Sequence, residues 1–143
     1  DVEPVFYRSA SHQGELLLAT IARLLTSFAP SEIVVLSMRA DASSCVARLA
    51  REQAGWHFAS CREEAEDGVS IRYASVHAFK GLEAPAVVLT DIDGIGDEQA
   101  KSLLYVGMSR ARVRLHIQMN ERLRSSYDAM LTVGLKAALG RST

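Results

Sequence analysis

Apolar and polar positions follow two rhythms along this chain. In "IVVLS" (Ile33 to Ser37) and "AVVLT" (Ala86 to Thr90) apolar residues run unbroken for the length of a strand, the pattern of parallel strands covered on both faces. "VRLHIQM" (Val113 to Met119) alternates and carries β-branched residues, so it reads as a further strand, as do "PVFYR" (Pro4 to Arg8), "VSIRYASV" (Val69 to Val76) and the short "GWHFAS". Between these runs the spacing changes to three and four. After Ser11, residues Leu17, Ile21, Leu24, Leu25 and Phe28 mark a helix that "APSE" ends. A second helix is expected from about Ser43 to Gln53, with Val46, Leu49 and Ala50 inward, Arg48, Arg51 and Glu52 outward, and Gly55 closing it. Asp97 and Glu98 open a third that runs to about Val106, its acidic first turn suited to the helix dipole. "SSYDAMLTVGLKAAL" predicts a last helix capped by Ser125 or Ser126, with Met130, Leu131, Leu135 and Leu139 toward the core.

Strands alternating with helices predict an α/β fold with a mainly parallel sheet flanked by helices and right-handed crossovers. "CREEAEDG" is an acidic surface connection, and neither a repeat nor a low-complexity segment interrupts the pattern. The chain has 143 residues, 48% of them hydrophobic, which is the size of a single domain (1–143) with a real core. A net charge of −1 supplies no overall basic field, so contact with nucleic acid has to come from a local cluster. No apolar run approaches the roughly 20 residues of a membrane span and no cleavable leader stands at the start, so a cytoplasmic protein without membrane contact is expected. Cys45 and Cys61 are too far apart for a CxxC pair and read as two reduced thiols in or near the core. The first residue is Asp1 rather than Met, from which a piece of something longer is expected.

Chemistry concentrates in "VHAFKGLEAPAVVLTDIDG" (Val76 to Gly94), where a lysine, a glycine and a glutamate break two apolar runs. A self-contained phosphate site is excluded. The nearest approach to a GxxxxGK[ST] loop, "GDEQAKS", has Ala100 where glycine must precede the lysine, and no GxGxxG occurs. Asp91 and Asp93, two residues apart after an apolar strand, also suit a haloacid-dehalogenase-like phosphatase, with Asp91 as nucleophile and Asp93 as acid around Mg²⁺. In that family the motif lies near the start with long segments downstream, whereas here about fifty residues follow; two acids in a polar loop are the simpler reading.

"SVHAFKGLEAPAVVL" and "LLYVGMSRARVRLHI" together resemble motifs V and VI of superfamily 1 DNA helicases of the UvrD/Rep type. The first family pattern, Thr-x-His-x-x-Lys-Gly-Leu-Glu before an apolar strand, is met by Ser75, His77, Lys80, Gly81, Leu82 and Glu83. The second, Tyr-Val-x-x-Thr-Arg-Ala before another strand, is met by Tyr105, Val106, Ser109, Arg110 and Ala111. Both threonines are serines here, which keeps the hydroxyl. "PSEIVVLSMRADAS" is a softer match to the strand before motif V, where an arginine, here Arg39, lies near single-stranded DNA. These helicases have two RecA-like domains; the chain looks like the second alone, a three-layer sandwich without the N-terminal domain that carries the P-loop, the Mg²⁺ ligands and the catalytic base. It also resembles a compact variant, since only a few tens of residues separate Ser37 from Ser75 where UvrD and Rep insert a subdomain.

The resemblance implies an ATP-dependent DNA helicase or translocase. Its C-terminal motor domain would be inactive alone, hold no metal itself, and work with ATP and Mg²⁺ bound mainly by the N-terminal domain. Arg110 would be the catalytic arginine on the γ-phosphate, a task suited to a planar fork that stays charged. Glu83 would accept hydrogen bonds from ribose hydroxyls, with Gly81 and Lys80 beside the nucleotide. Ser75, His77 and Arg39 would face single-stranded DNA. Spacing supports two separate edges: Glu83 and Arg110 each stand three residues before a strand, whereas Ser75 and His77 follow the end of theirs, roughly 15 Å away at about 3.3 Å per residue. Arg112 and Arg114 face solvent or the DNA backbone, and His116, Trp56 and Tyr105 read as packing residues. A free-standing nucleic-acid-binding or regulatory module is the other class of reading.

Overall fold

The computed structural model describes residues 4–39, 44–52, 57–61, 69–79 and 81–141. Six strands are joined by four helices in the order β1 (Val5–Tyr7), α1 (Ala10–Leu24), β2 (Ile33–Ser37), α2 (Cys45–Glu52), β3 (Phe58–Ser60), β4 (Ile71–Ser75), β5 (Ala84–Ile92), α3 (Glu98–Met108), β6 (Ala111–Asn120) and α4 (Arg124–Arg141). Every pairing is parallel and the sheet runs β1-β6-β5-β2-β4-β3. The unbroken apolar runs take the centre, as expected: β2 is buried at every position, and β5 at every position except Pro85.

Period-two geometry sends alternate side chains of these strands into two cores. On one face Val35 and Val88 pack with Leu17 and Ile21 of α1 and with Val46 and Leu49 of α2. On the other, Val34, Leu36, Val87 and Leu89 pack with Leu104 of α3, and Tyr127 and Met130 of α4 rest against the cluster. The result is the three-layer α/β sandwich that the alternation of elements predicts. No helix among the described residues is long and apolar enough to cross a membrane.

Boundaries differ from the sequence expectation where polar or small residues belong to a strand. β5 starts at Ala84 and ends at Ile92, and β6 starts at Ala111, because Ala84 pairs with Ala111 before the apolar runs begin. The first helix begins at Ala10, ahead of Ser11, and is capped by Ser9, whose hydroxyl accepts the His12 N–H at 3.1 Å. The last helix needs no serine cap. A short 3-10 turn, Glu121–Leu123, leads straight into it, and the Asn120 side chain accepts the Arg122 N–H. Leu131, expected in the core, is 53% exposed, and Leu135 and Leu139 have no described side-chain placement. What fastens the start of α4 is aromatic: the Arg124 guanidinium lies 4.2 Å from the centroid of Phe6, which meets Tyr127 edge-on.

Candidate functional site

The two motifs meet at the N-terminal edge of the sheet. After β4 the chain makes a turn in which the Phe79 N–H bonds the Ser75 carbonyl and the Leu82 N–H bonds the Phe79 carbonyl. Gly81 has φ +84°, the left-handed region in which a Cβ is strained, so glycine is what lets the chain reverse into β5. Lys80 lies outside the described residues. On the other strand, α3 ends against β5 so closely that a Cβ on Gly107 would stand 2.8 Å from the Leu89 side chain. That close approach sets the height of the helix end, and Arg110 follows three residues later.

Arg110 grips both neighbours of Glu83. Its Nη1 donates to the Leu82 carbonyl at 3.2 Å, and its own carbonyl accepts the Ala84 N–H at 2.9 Å. The rest of the guanidinium is held by Ser109 Oγ, 2.8 Å from Nη2 and 3.2 Å from Nε, and by the Val106 carbonyl at 3.2 Å. All of these acceptors are neutral, so the positive charge is oriented without being cancelled. The Glu83 carboxylate stands exposed beside it with no hydrogen bond or ion pair among the described residues. The spacing argument therefore holds: an acid and an arginine held by neutral acceptors share one edge. Arg112 and Arg114 continue the basic stretch as exposed residues of β6.

Ser75 lies on the opposite edge, paired in register with Ser37, itself level with Thr90. From Ala84 to Thr90 along β5 is roughly 20 Å at about 3.3 Å per residue, somewhat more than the expected separation. Ser75 is buried, and its hydroxyl accepts the Ala78 N–H at 3.1 Å, which caps the turn. His77 is exposed and lines a cavity of about 170 Å³ with Gln99, Ser102, Leu103 and Val106 of α3. Arg39 is half-exposed and ion-paired, 2.7 Å from Asp93 Oδ2 and 3.6 Å from Asp91 Oδ1; the Asp93 hydrogen bond raises its pKa, with burial opposing. Of the three residues assigned to DNA, His77 alone offers an exposed side chain with no partner among the described residues.

Sequence reasoning missed the organiser of this second edge. Asp91 belongs to β5 and is 1% exposed, so it is no polar-loop acid. Its Oδ1 accepts Gln13 Nε2 at 2.8 Å, and its Oδ2 accepts Ser37 Oγ at 2.6 Å and the Cys45 N–H at 3.0 Å. One carboxylate thus ties α1, β2 and the start of α2 to β5. With both oxygens occupied and buried, Asp91 is no nucleophile, and the phosphatase reading is overturned. Nearby, burial raises the pKa of the Cys45 thiol to about 11, with Asp91 adding to it, and raises that of the Tyr7 hydroxyl, which is buried without a partner. Thr-Asp following one apolar run, beside a second run ending in Ser, was the available signal.

His116 packs partly buried, as expected, with Nε2 unpartnered; burial and then Arg114 and Arg23 lower its pKa below the ordinary 6.5. A base whose folded pKa is depressed contributes stability above its unfolded pKa and loses it as pH falls. Stability should therefore decline as pH is lowered from 7 toward 5, and His116→Gln should flatten that decline in urea titrations at several pH values. Trp56, the other packing residue named, lies outside the described residues, and Tyr105 is 56% exposed on α3, where the expectation was packing.

Comparison with known proteins agrees with the two motifs. Residues 70–117, which hold both, match the family model of the UvrD-like helicase C-terminal domain. No curated protein matches. Among solved structures, the chain is similar to the C-terminal domain of a possible DNA helicase from Lactobacillus plantarum, with a TM-score of 0.69, 17% identity, and coverage of 83% of this chain and 73% of that one. At that identity the likeness speaks for the fold. Residues 70–117 thus carry the sequence pattern of a UvrD-like helicase C-terminal domain, on a parallel sheet folded like the Lactobacillus plantarum domain.

Proposed function

We propose that the chain is the second, RecA-like motor domain of an ATP-dependent DNA helicase or translocase, completing an ATP site held mainly by an N-terminal domain of the same full-length protein. The observation that carries this is the Arg110 clamp. One arginine fixes the backbone on both sides of Glu83 and still presents an uncancelled charge at the same sheet edge. In this reading Glu83 accepts hydrogen bonds from the ribose hydroxyls, the backbone at Gly81 and the Lys80 side chain lie against the nucleotide, and Arg110 is the catalytic arginine. Splitting a phosphoanhydride is mostly positioning and neutralisation of γ-phosphate charge, which an arginine delivered from a neighbouring domain supplies. Mg²⁺, held by the N-terminal domain, would neutralise the phosphate oxygens.

The opposite edge is the single-stranded DNA track. His77 contacts the backbone there, Ser75 shapes the turn that presents it, and Arg39 contributes through its position beside Asp93. The protein would act in the cytoplasm, where its DNA and ATP are found.

The test is ATP turnover with and without single-stranded DNA, measured on the full-length protein and on this chain alone. Stimulated hydrolysis by the former and none by the latter is expected. No turnover in the full-length protein would leave a binding module as the better description, and turnover indifferent to DNA would remove the DNA track from the reading.

A further inference from the structure

The two sides of β6 are served unequally. On one side β5 pairs with it from Ala111 onward; on the other, β1 reaches only Gln118, Met119 and Asn120. No other strand among the described residues lies on that side, so the backbone from Ala111 to Leu115 keeps an open lateral edge. Val113 is 69% exposed there, and Arg112 and Arg114 are exposed on either side of it. Such a row of unpaired N–H and C=O groups is a template for one more strand.

The side chains narrow which strand fits. Alternation puts Arg112, Arg114 and His116 on one face of β6 and Val113 and Leu115 on the other; Arg114 stands level with Ala86 and His116 with Val88, while Leu115 packs against the opposite core. Neither Arg112 nor Arg114 has an ion-pair partner among the described residues. A third positive charge, Arg23 of α1, lies close enough to His116 to join burial and Arg114 in lowering its pKa. A second copy of the chain added to this edge would set arginine against arginine, which is unfavourable directly across a strand pair. A nucleic-acid backbone would meet the charges, but phosphodiesters donate no hydrogen bond to the strand carbonyls. An extended peptide with acids on one face and an apolar residue between them satisfies backbone, arginines and Val113 together.

We propose that the open edge of β6 is a docking site for an extended acidic segment of a partner protein, which adds as a strand in line with β1, its carboxylates beside Arg112 and Arg114 and an apolar side chain beside Val113. The arginines that bar self-pairing are then the groups that select the partner. The site begins at the residue after Arg110, yet it does not depend on whether that arginine meets a nucleotide.

The test titrates this chain with capped peptides of alternating glutamate and valine or of alternating lysine and valine, followed by nitrogen–proton NMR and amide hydrogen exchange. The glutamate peptide should move the Arg112 to Leu115 amides saturably and slow the exchange of those that face the open edge; the lysine peptide should do neither. Reversing both charges, Arg112→Glu with Arg114→Glu, should weaken the glutamate peptide on the order of tenfold and admit the lysine one. The wild-type titrations decide the matter even if the double variant does not fold. Shifts without slowed exchange would reduce the contact to surface charge, and equal binding of both peptides would remove the arginines from it. Tighter binding of oligothymidylate at the same amides would make the patch a nucleic-acid contact. Shifts that grow with chain concentration in the absence of peptide would make it an interface between copies. Each of these four results overturns the proposal, as does silence of the amides with the glutamate peptide.

Discussion

Asp91→Ala should cost on the order of 3–5 kcal/mol of folding stability, a large share of the roughly 5–15 kcal/mol typical of a domain. The side chain is entirely shielded from solvent where it faces Arg39, and it satisfies Gln13 Nε2, Ser37 Oγ and the Cys45 N–H at 2.6 to 3.0 Å. Deleting it leaves these donors stranded beside a half-exposed guanidinium, at about 1–3 kcal/mol for each buried group left unpaired. Backbone strain adds to this. Asp91 has φ +58°, a conformation that aspartate and asparagine adopt more readily than alanine. Asp91→Asn keeps that tolerance and one acceptor oxygen but turns an amide against existing donors, so roughly half the loss is expected. Urea unfolding with an unchanged m-value gives both numbers. A loss below about 1 kcal/mol in the alanine variant would show that the edge is held by other contacts.

The legibility of this fold follows burial. β2 up to Leu36 and the centre of β5 are covered on both faces, so apolar residues run unbroken there and the strand appears directly in sequence. The first helix was equally plain because a single face of Leu17, Ile21 and Leu24 enters the core. α4 was misjudged for the opposite reason. Its apolar residues are spread around the helix, so Met130 reaches the core while Leu131 and Val133 meet solvent. Only tertiary contact, here of Phe6 with Arg124 and Tyr127, decides which side turns inward.

The same physics divides the candidate site. Glu83 and Arg110 were legible because each immediately precedes a strand, and parallel pairing brings strand starts to one edge whatever the crossover between them. Ser75 and Arg39 were placed on the correct edge, yet their side chains are spent on the Ala78 N–H and on Asp93. Sequence spacing locates a residue along a strand; it does not reveal which neighbour its polar atoms will find. Asp91 was read as a nucleophile or a loop acid, and its tying role escaped notice for that reason: it becomes apparent only through the three donors that converge on one carboxylate.

Arg110→Ala in the full-length protein should lower kcat for DNA-stimulated ATP hydrolysis on the order of 10³-fold or more while leaving the fold nearly intact. The two halves of that expectation have different origins. The catalytic loss is large because the guanidinium is oriented by neutral acceptors, which leave its charge uncancelled beside Glu83. The structural loss is small because the side chain is only partly buried, and a hydrogen bond such as that to the Leu82 carbonyl is worth about 0.5–1.5 kcal/mol. The backbone bond from the Ala84 N–H to the Arg110 carbonyl survives any side-chain change, so Glu83 stays where it is. KM should therefore move much less than kcat, since an interaction strengthened in the transition state is the one removed. Arg110→Lys should recover little of the rate. A lysine restores the charge but cannot hold the Leu82 carbonyl, Ser109 and two phosphate oxygens with one planar group. Steady-state turnover beside a thermal melt separates these effects. Wild-type kcat in the alanine variant would remove Arg110 from the reaction, and a melt lowered by more than a few degrees would mean that the arginine holds the edge together before it holds any phosphate.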